Sequence, residues 1–265
     1  MEKFKGKKIW ITGASSGIGE ALAYEFSRYN AELVLSGRNK DKLEDVKQNC
    51  SQSKAPITIV PFDLSDQNSI KEAADSVINK MGGVDFLINN GGISQRELAH
   101  KTDLDVDQKI MSINYFGNIA LTKAILPSMM EKGGGHIAVT TSIVGKFGFP
   151  LRSAYSASKH ALYGFYDTLR AELHDKNIKV TMICPGRIQT NISMHALNGS
   201  GDEYGKLDDG QKNGMSSGKA AKKIVRALNK EKKEVLVGGN ELLMVHLKRF
   251  VPFVFHKITR KIKPT

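Results

Sequence analysis

Three observations predict an α/β fold, a doubly wound parallel sheet of seven strands in a single domain. Short apolar runs recur along the 265 residues, amphipathic stretches of helical period lie between them, and a glycine-rich turn follows the first run directly. Each parallel strand needs a crossover to return to the same edge of the sheet, so this alternation implies a parallel sheet covered on both faces. The length is ample for one large domain, and right-handed crossovers complete the winding.

The strands are expected at Lys8–Thr12, Glu32–Ser36, Ile57–Phe62, Asp85–Asn89, His136–Thr141, Lys179–Cys184 and Glu234–Val237. The clearest helices between them are Gly17–Tyr29, Lys40–Asn49, Gln67–Met81, Asp103–Glu131, Ser153–Asp175 and Gly218–Lys230. The two longest would flank the sheet centre and are natural surfaces for a homodimer or homotetramer. Gln189 to Met215 breaks the rhythm: it is rich in Gly, Ser, Asn and Asp and has no firm period. A long irregular segment in a compact domain suits a lid. Residues 1–240 therefore read as one domain containing a lid at 189–215, followed by a tail at 241–265.

Composition excludes several classes. At 40% hydrophobic and 25% charged residues the chain is an ordinary globular one, and Cys50 and Cys184 are too few for a disulfide framework. No leader pattern precedes the first strand, and no run reaches the ~20 apolar residues that span a bilayer. A cytoplasmic protein without a metal site is expected. The net charge of +12 is uneven: Lys219 to Thr265 hold 13 Lys and Arg against 3 Asp and Glu, a net of +10, which leaves +2 for the first 218 residues. A basic tail on a near-neutral body suits an anionic surface.

The first turn, Thr12-Gly13-Ala14-Ser15-Ser16-Gly17-Ile18-Gly19, lies between a strand and a helix. Glycines there permit a tight turn and close backbone approach to a pyrophosphate, and the helix N-terminus adds free N–H groups. Gly13, Ser15, Ser16, Gly17, Ile18 and Gly19 are the candidate cradle. At the end of the second strand the chain reads Ser36-Gly37-Arg38, without the acid that would bind both ribose hydroxyls of NAD. Arg38 can instead offer its planar fork to a 2′-phosphate, which points to NADP(H). Asp63 and Leu64 follow strand three, where an adenine would lie. Asn90 and Gly91 follow strand four, where a nicotinamide ribose would pass.

Strand five ends in Thr141-Ser142, and Tyr155 and Lys159 follow four residues apart on one helix face. Together with the glycine turn, Asn89-Asn90-Gly91-Gly92 and Pro185-Gly186, this pattern resembles the short-chain dehydrogenase/reductase family over residues 6–240. One glycine in the Asn89–Gly92 segment stands where the family usually carries alanine. The resemblance implies a catalytic tetrad of Asn114, Ser142, Tyr155 and Lys159. It implies hydride exchange between a nicotinamide and a small-molecule carbonyl or secondary alcohol held by Ser142 and Tyr155. Lys159 and Tyr155 would also meet the nicotinamide ribose, Pro185, Gly186, Ile188 and Thr190 would brace the carboxamide, and Asn114 would anchor a water linking Lys159 to solvent. A redox sensor without turnover is the rival reading, disfavoured by the intact Tyr155/Lys159 pair.

Substrate choice falls to Val144–Phe149, the lid and the tail. Phe147, Phe149, Met194 and Leu197 suggest an apolar or lipid-like substrate, or packing of the lid. In the tail, Leu243, Leu247, Phe250, Val254 and Ile258 form a helical apolar stripe, broken near Pro252 and flanked by Lys248, Arg249, Lys257, Arg260, Lys261 and Lys263. The stripe fits an anionic membrane surface, giving a peripheral location, or a partner subunit. No nucleic-acid partner is expected, because the tail's aromatic residues cluster among apolar ones rather than alternating with the basic ones.

Overall fold

In the computed structural model, which describes residues 2–50 and 53–262, the apolar runs become strands that pair in parallel throughout. The first half holds β1 (Lys8–Thr12), α1 (Gly17–Ser27), β2 (Glu32–Ser36), α2 (Lys40–Asn49), β3 (Ile57–Ile59), α3 (Gln67–Met81), β4 (Phe86–Asn89), α4 (Leu104–Met111) and α5 (Asn118–Glu131). The second holds β5 (Gly135–Thr140), α6 (Ser153–Glu172), β6 (Ile178–Pro185), β7 (Ile188–Gln189), α7 (Asp209–Lys212), β8 (Met215–Ser216), α8 (Ser217–Asn229), β9 (Glu234–Val237), α9 (Leu243–Phe250) and α10 (Pro252–Thr259). Seven strands make the main sheet in the order β3-β2-β1-β4-β5-β6-β9, so the winding reverses between β1 and β4. That reversal opens a crevice at the carboxyl ends of the strands, where ligands of such sheets bind.

Strand period sorts the core into two layers. Ile9, Ile11, Leu33 and Leu35 face one side with Leu22, Phe26, Ile224 and Leu228 of α1 and α8. Trp10, Val34 and Leu87 face the other with residues of α3, α5 and α6 such as Val77, Leu121 and Tyr166. Each such buried Leu, Ile or Phe stabilises the fold by roughly 1.5–3 kcal/mol. Phe4 joins the first layer, fully buried against Phe26 and Phe86.

Two elements depart from expectation for identifiable reasons. β3 spans only Ile57–Ile59, although Val60 and Phe62 still donate to Leu35 and Gly37, and Pro61 between them takes the outward position of this edge strand, where no N–H is needed. The long helix expected over Asp103–Glu131 is interrupted by a π-helical turn at Ser112–Gly117. The Asn118 amide donates to the Asn114 carbonyl at 2.8 Å and to that of Ile113 at 3.3 Å, taking up acceptors that an α-helix would use for itself.

The segment 189–215 is rooted by a two-residue parallel ribbon, in which Ile188 pairs with Met215 and Gln189 with Ser216. The tail folds back on its own chain. Phe255 is buried with its ring 5.0 Å from that of Phe147, in a cluster with Ile143, Val144 and Cys184. Pro252 starts a new helix, so the stripe does not continue straight: Leu243, Phe250 and Ile258 are exposed, and Phe255 faces inward. Among the described residues no helix is long and apolar enough to cross a membrane.

Candidate active site

The glycine turn after β1 is shaped by backbone. Gly13 and Gly17 have φ of +62° and +60°, which glycine adopts without strain. A Cβ on Gly19 would collide with the Gly13 carbonyl. Ser16 caps α1 in extended conformation without spending its side chain on the helix, so the first N–H groups keep their capacity for an anion. Ser15 lies against Gly37 and Thr190 against Gly17, which brings the end of β2 and the root of the 189–215 segment to the same turn. Ile18 packs partly buried against the core.

Asn90 braces this cradle. Its amide donates to the Thr12 carbonyl at 3.1 Å, its Oδ1 accepts from Thr140 at 3.2 Å, and Thr12 Oγ1 accepts the N–H groups of Asn90 and Gly91. The ends of β1, β4 and β5 are thus tied by one side chain and one hydroxyl. A Cβ on Gly91 would lie 2.6 Å from Leu64, so the Asp63-Leu64 corner closes directly on the turn. Asp63 accepts both the N–H and the hydroxyl of Ser65 at 2.8 Å. Arg38 is exposed and makes no hydrogen bond or ion pair among the described residues.

At the chemical end, Ser142 leaves β5 in extended conformation, and its hydroxyl caps the turn at Val144 and reaches the Pro185 carbonyl at 3.4 Å. Tyr155 and Lys159 stand one turn apart on α6, with Lys159 Nζ 5.6 Å from the Tyr155 ring centre. The same ammonium donates to the Thr140 carbonyl at 2.8 Å. Asn114 sits fully buried in the π turn, exchanging hydrogen bonds with the Ile93 peptide and donating to Ser158 at 3.0 Å. A Cβ on Gly92 would be 2.8 Å from Asn114 Oδ1 and 3.6 Å from Lys159 Nζ, so all three crowd one point. Ser142, Tyr155, Lys159 and Asn114 therefore meet where β4 and β5 end.

Electrostatics set their protonation. Burial pushes the Tyr155 phenol above its ordinary value, opposed by the hydrogen bond from Ser142 and by the charges of Arg96 and Arg152. Burial pulls the Lys159 ammonium down to about 8. Without further ligands the phenol holds its proton, the form that an acid catalyst needs.

Pro185 and Gly186 end β6. A Cβ on Gly186 would collide with Glu241, whose carboxylate accepts the N–H groups of Arg187 at 2.7 Å and Gly239 at 3.0 Å. The root of the tail thereby clamps the turn ahead of Ile188 and Thr190. Phe147, Phe149, Phe255 and Tyr155 share one apolar cluster. Leu197 instead packs on Val106, Ile110 and Ala154, tethering the 189–215 segment, and Met194 is partly exposed. Sequence reasoning missed Gln95, Arg96, Asp208 and Glu241. The available signal was the position of Gln95-Arg96 just past the carboxyl end of β4, where such folds place functional groups.

A glycine turn opening a helix at the switch point, with a serine and a Tyr/Lys pair converging beside it, defines an oxidoreductase on a Rossmann-type fold. Residues 7–200 match the family model described as short chain dehydrogenase, and the chain belongs to that family. It is 46% identical over 255 residues to dehydrogenase/reductase SDR family member 7B of Mus musculus, covering 94% of this chain and 79% of the mouse protein. It is 44% identical over 261 residues to a dehydrogenase/reductase SDR family protein 7-like of Drosophila melanogaster, covering 97% of this chain and 80% of that protein. Among solved structures, a short-chain dehydrogenase/reductase from Burkholderia phymatum in complex with NAD superposes with a TM-score of 0.83 at 21% identity, covering 100% of this chain and 98% of the other. An alcohol dehydrogenase from Thermococcus sibiricus complexed with 5-hydroxy-NADP gives 0.75 at 26% identity, covering 88% and 97%.

Proposed function

We propose that the protein is an NADPH-dependent reductase of an apolar or lipid-like carbonyl compound, running in reverse as a secondary-alcohol dehydrogenase. The observation that carries this reading is the convergence of Ser142, Tyr155 and Lys159 on one point beside the glycine cradle. The cradle fits a dinucleotide, because the positions nearest its turn tolerate no Cβ and the first turn of α1 has N–H groups to offer. Gly13, Ser15, Ser16, Gly17, Ile18 and Gly19 would hold the pyrophosphate, with Asp63 and Leu64 at the adenine. Asn90, Gly91, Tyr155 and Lys159 would face the nicotinamide ribose, with Pro185, Gly186, Ile188 and Thr190 at the carboxamide. Arg38, exposed and uncommitted at the end of β2, supports a 2′-phosphate and hence NADP(H).

The nicotinamide supplies or receives the hydride, and the side chains manage the proton. Ser142 donates a hydrogen bond to the substrate oxygen and orients it. Tyr155 transfers its phenolic proton to that oxygen. An ordinary tyrosine titrates near 10 and burial pushes Tyr155 higher, while the hydrogen bond from Ser142 and the charges of Arg96 and Arg152 act the other way, toward the tyrosinate. The Lys159 ammonium one turn away would add to them as the proton leaves. Asn114 anchors the route by which a proton returns from solvent to Lys159.

The aromatic cluster of Phe147, Phe149 and Phe255 beside Tyr155 supports an apolar substrate. On the outer face of the tail, Leu243, Phe250 and Phe253 are exposed with Arg249, Lys257 and Arg260. That mixture supports peripheral docking on an anionic membrane from the cytoplasm. Leu104 and Phe116, exposed on α4 and the π turn, support self-association as a homodimer or homotetramer through that face. The test is NADPH consumption over keto-lipids, steroids and small ketones. Turnover of at least one apolar ketone is expected; tight NADPH binding without turnover of any would replace the enzyme reading by a sensor.

A further inference from the structure

The lid and the catalytic helix are joined by side chains that hydride transfer does not use. Asp208, in the lid just before α7, and Arg96, beyond β4, are 3% and 2% exposed at their side chains. Arg96 Nε and Nη2 donate to Asp208 Oδ2 at 2.8 and 2.6 Å, and Arg152 Nη2, one residue before α6, donates to the same oxygen at 2.9 Å. A lone buried carboxylate or guanidinium is strongly unfavourable, so the three charges hold one another in place. The lid cannot lift from α6 without parting them. All three N–H groups land on Oδ2, and Oδ1 has no partner among the described residues. A fork-to-fork pair would engage both oxygens, so this contact is one that a swing of the carboxylate can release.

The other end of Arg96 is fixed. Nη1 donates to Ser94 Oγ at 2.7 Å and to the Gln95 carbonyl at 2.6 Å. Gln95 is fully buried; its Oε1 accepts the Ala154 N–H at 2.9 Å and its amide donates to Ser153 at 3.1 Å, which seats the first turn of α6. Backbone bonds between Arg96 and Leu197 and between Leu197 and Ser94, at 2.8 and 2.9 Å, add a second tether to the lid.

We propose that Asp208 is the latch of the lid and a positioning residue for the reaction. Closing residues 189–215 brings Asp208 between Arg96 and Arg152, and so fixes in one step the lid, the seat of α6 and the charge beside Tyr155. The charges of both arginines favour the tyrosinate against burial. Asp208 acts through the arginines and not by touching the reacting atoms.

The kinetic half of this inference rests on Tyr155 as the proton donor, whereas the lid half stands without it. The experiment compares full-length wild type with Asp208→Asn, Asp208→Glu and Arg152→Gln, by hydrogen exchange of residues 189–215 and by kinetics on a ketone that the wild type reduces. Asp208→Asn should speed exchange in the lid at least about tenfold while β1 and β5 keep their protection. It should raise KM for the ketone more than it lowers kcat and leave NADPH affinity within about twofold of wild type, the ligand-specific pattern of lost positioning. Asp208→Glu should restore part of both effects, and Arg152→Gln should loosen the lid in the same direction by less. Unchanged lid exchange in Asp208→Asn would overturn the latch. Exchange that rises equally in β1 and β5 would overturn it too, by showing a core staple. Should Tyr155→Phe retain full activity, the reductase reading fails while lid exchange still reports on Asp208.

Discussion

The two ends of the active-site crevice are built from different materials. The proposed cofactor end is backbone: a turn of glycines, the first N–H groups of α1 and the ends of β1, β4 and β5 tied by Thr12 and Asn90. The proposed substrate end is side chains drawn from distant parts of the chain, among them Arg96, Phe147, Arg152, Asp208 and Phe255. Backbone sites are local and tolerate little change. Side-chain sites leave each contributor replaceable, and that is where members of one fold can differ in substrate.

The contrast can be broken most severely at Tyr155, where the two ends meet. Tyr155→Phe should lose at least about two orders of magnitude in rate, the usual worth of acid catalysis, with NADPH binding and fold retained. Wild-type turnover in that variant would remove the proton donor from the scheme. Next in size is Arg38→Ala, which deletes a charge-assisted contact worth roughly 1.5–3 kcal/mol. NADPH should weaken about ten- to a hundredfold by titration while NADH changes much less; equal losses would show that Arg38 does not read the 2′-phosphate.

A third expectation concerns pH. Burial lowers Lys159 to about 8 in the free protein, so its ammonium is present below that pH and lost above it. In the proposed mechanism reduction needs that cation and a protonated Tyr155, so kcat/KM should fall above pH 8 by up to roughly tenfold per pH unit. Lys159→Arg should abolish that particular downturn, since guanidinium keeps its proton; a profile identical to wild type would assign the downturn elsewhere. The smallest effect belongs to the tail's outer face. Phe250→Ser with Phe253→Ser should weaken co-sedimentation with anionic vesicles a few-fold, leaving turnover of a soluble ketone untouched. High salt should weaken the wild type as well, because the Debye length falls to about 3 Å at 1 M. Sedimentation indifferent to both changes would remove the membrane from the proposal.

The same division governs how much could be read beforehand. Six of the seven strands of the main sheet were legible within a residue or two, and β3 within three, because Gly, Asn or Pro bounds the apolar runs, and the glycine turn advertised itself beside the first. Ser142, Tyr155 and Lys159 stood out through the family resemblance that a strand end, a helix face and the glycine turn together carried. Asp208 was not legible, since an aspartate in a loop of Gly, Lys and Asp reads as solvated and the arginines that bury it stand 112 and 56 residues away. The apolar stripe of the tail was visible, but its inward residue was not. Pro252 redirects the chain, so Phe255 meets Phe147 while Phe250 looks outward. The π turn was hidden for another reason: helical periodicity survives one slightly wider turn, and only the reach of the Asn118 amide betrays it.

That wider turn works as a clocking device. A residue of α-helix advances about 100° around the axis and a residue of the wider turn less, so excising one position between Ser112 and Gly117 would let the turn close into ordinary helix and re-aim the side chains it carries. Asn114 would swing off the Ile93 peptide and away from Ser158, although no site residue had been replaced. Length in this stretch is therefore an angular quantity, and a single deletion there would act on the active site as a misalignment.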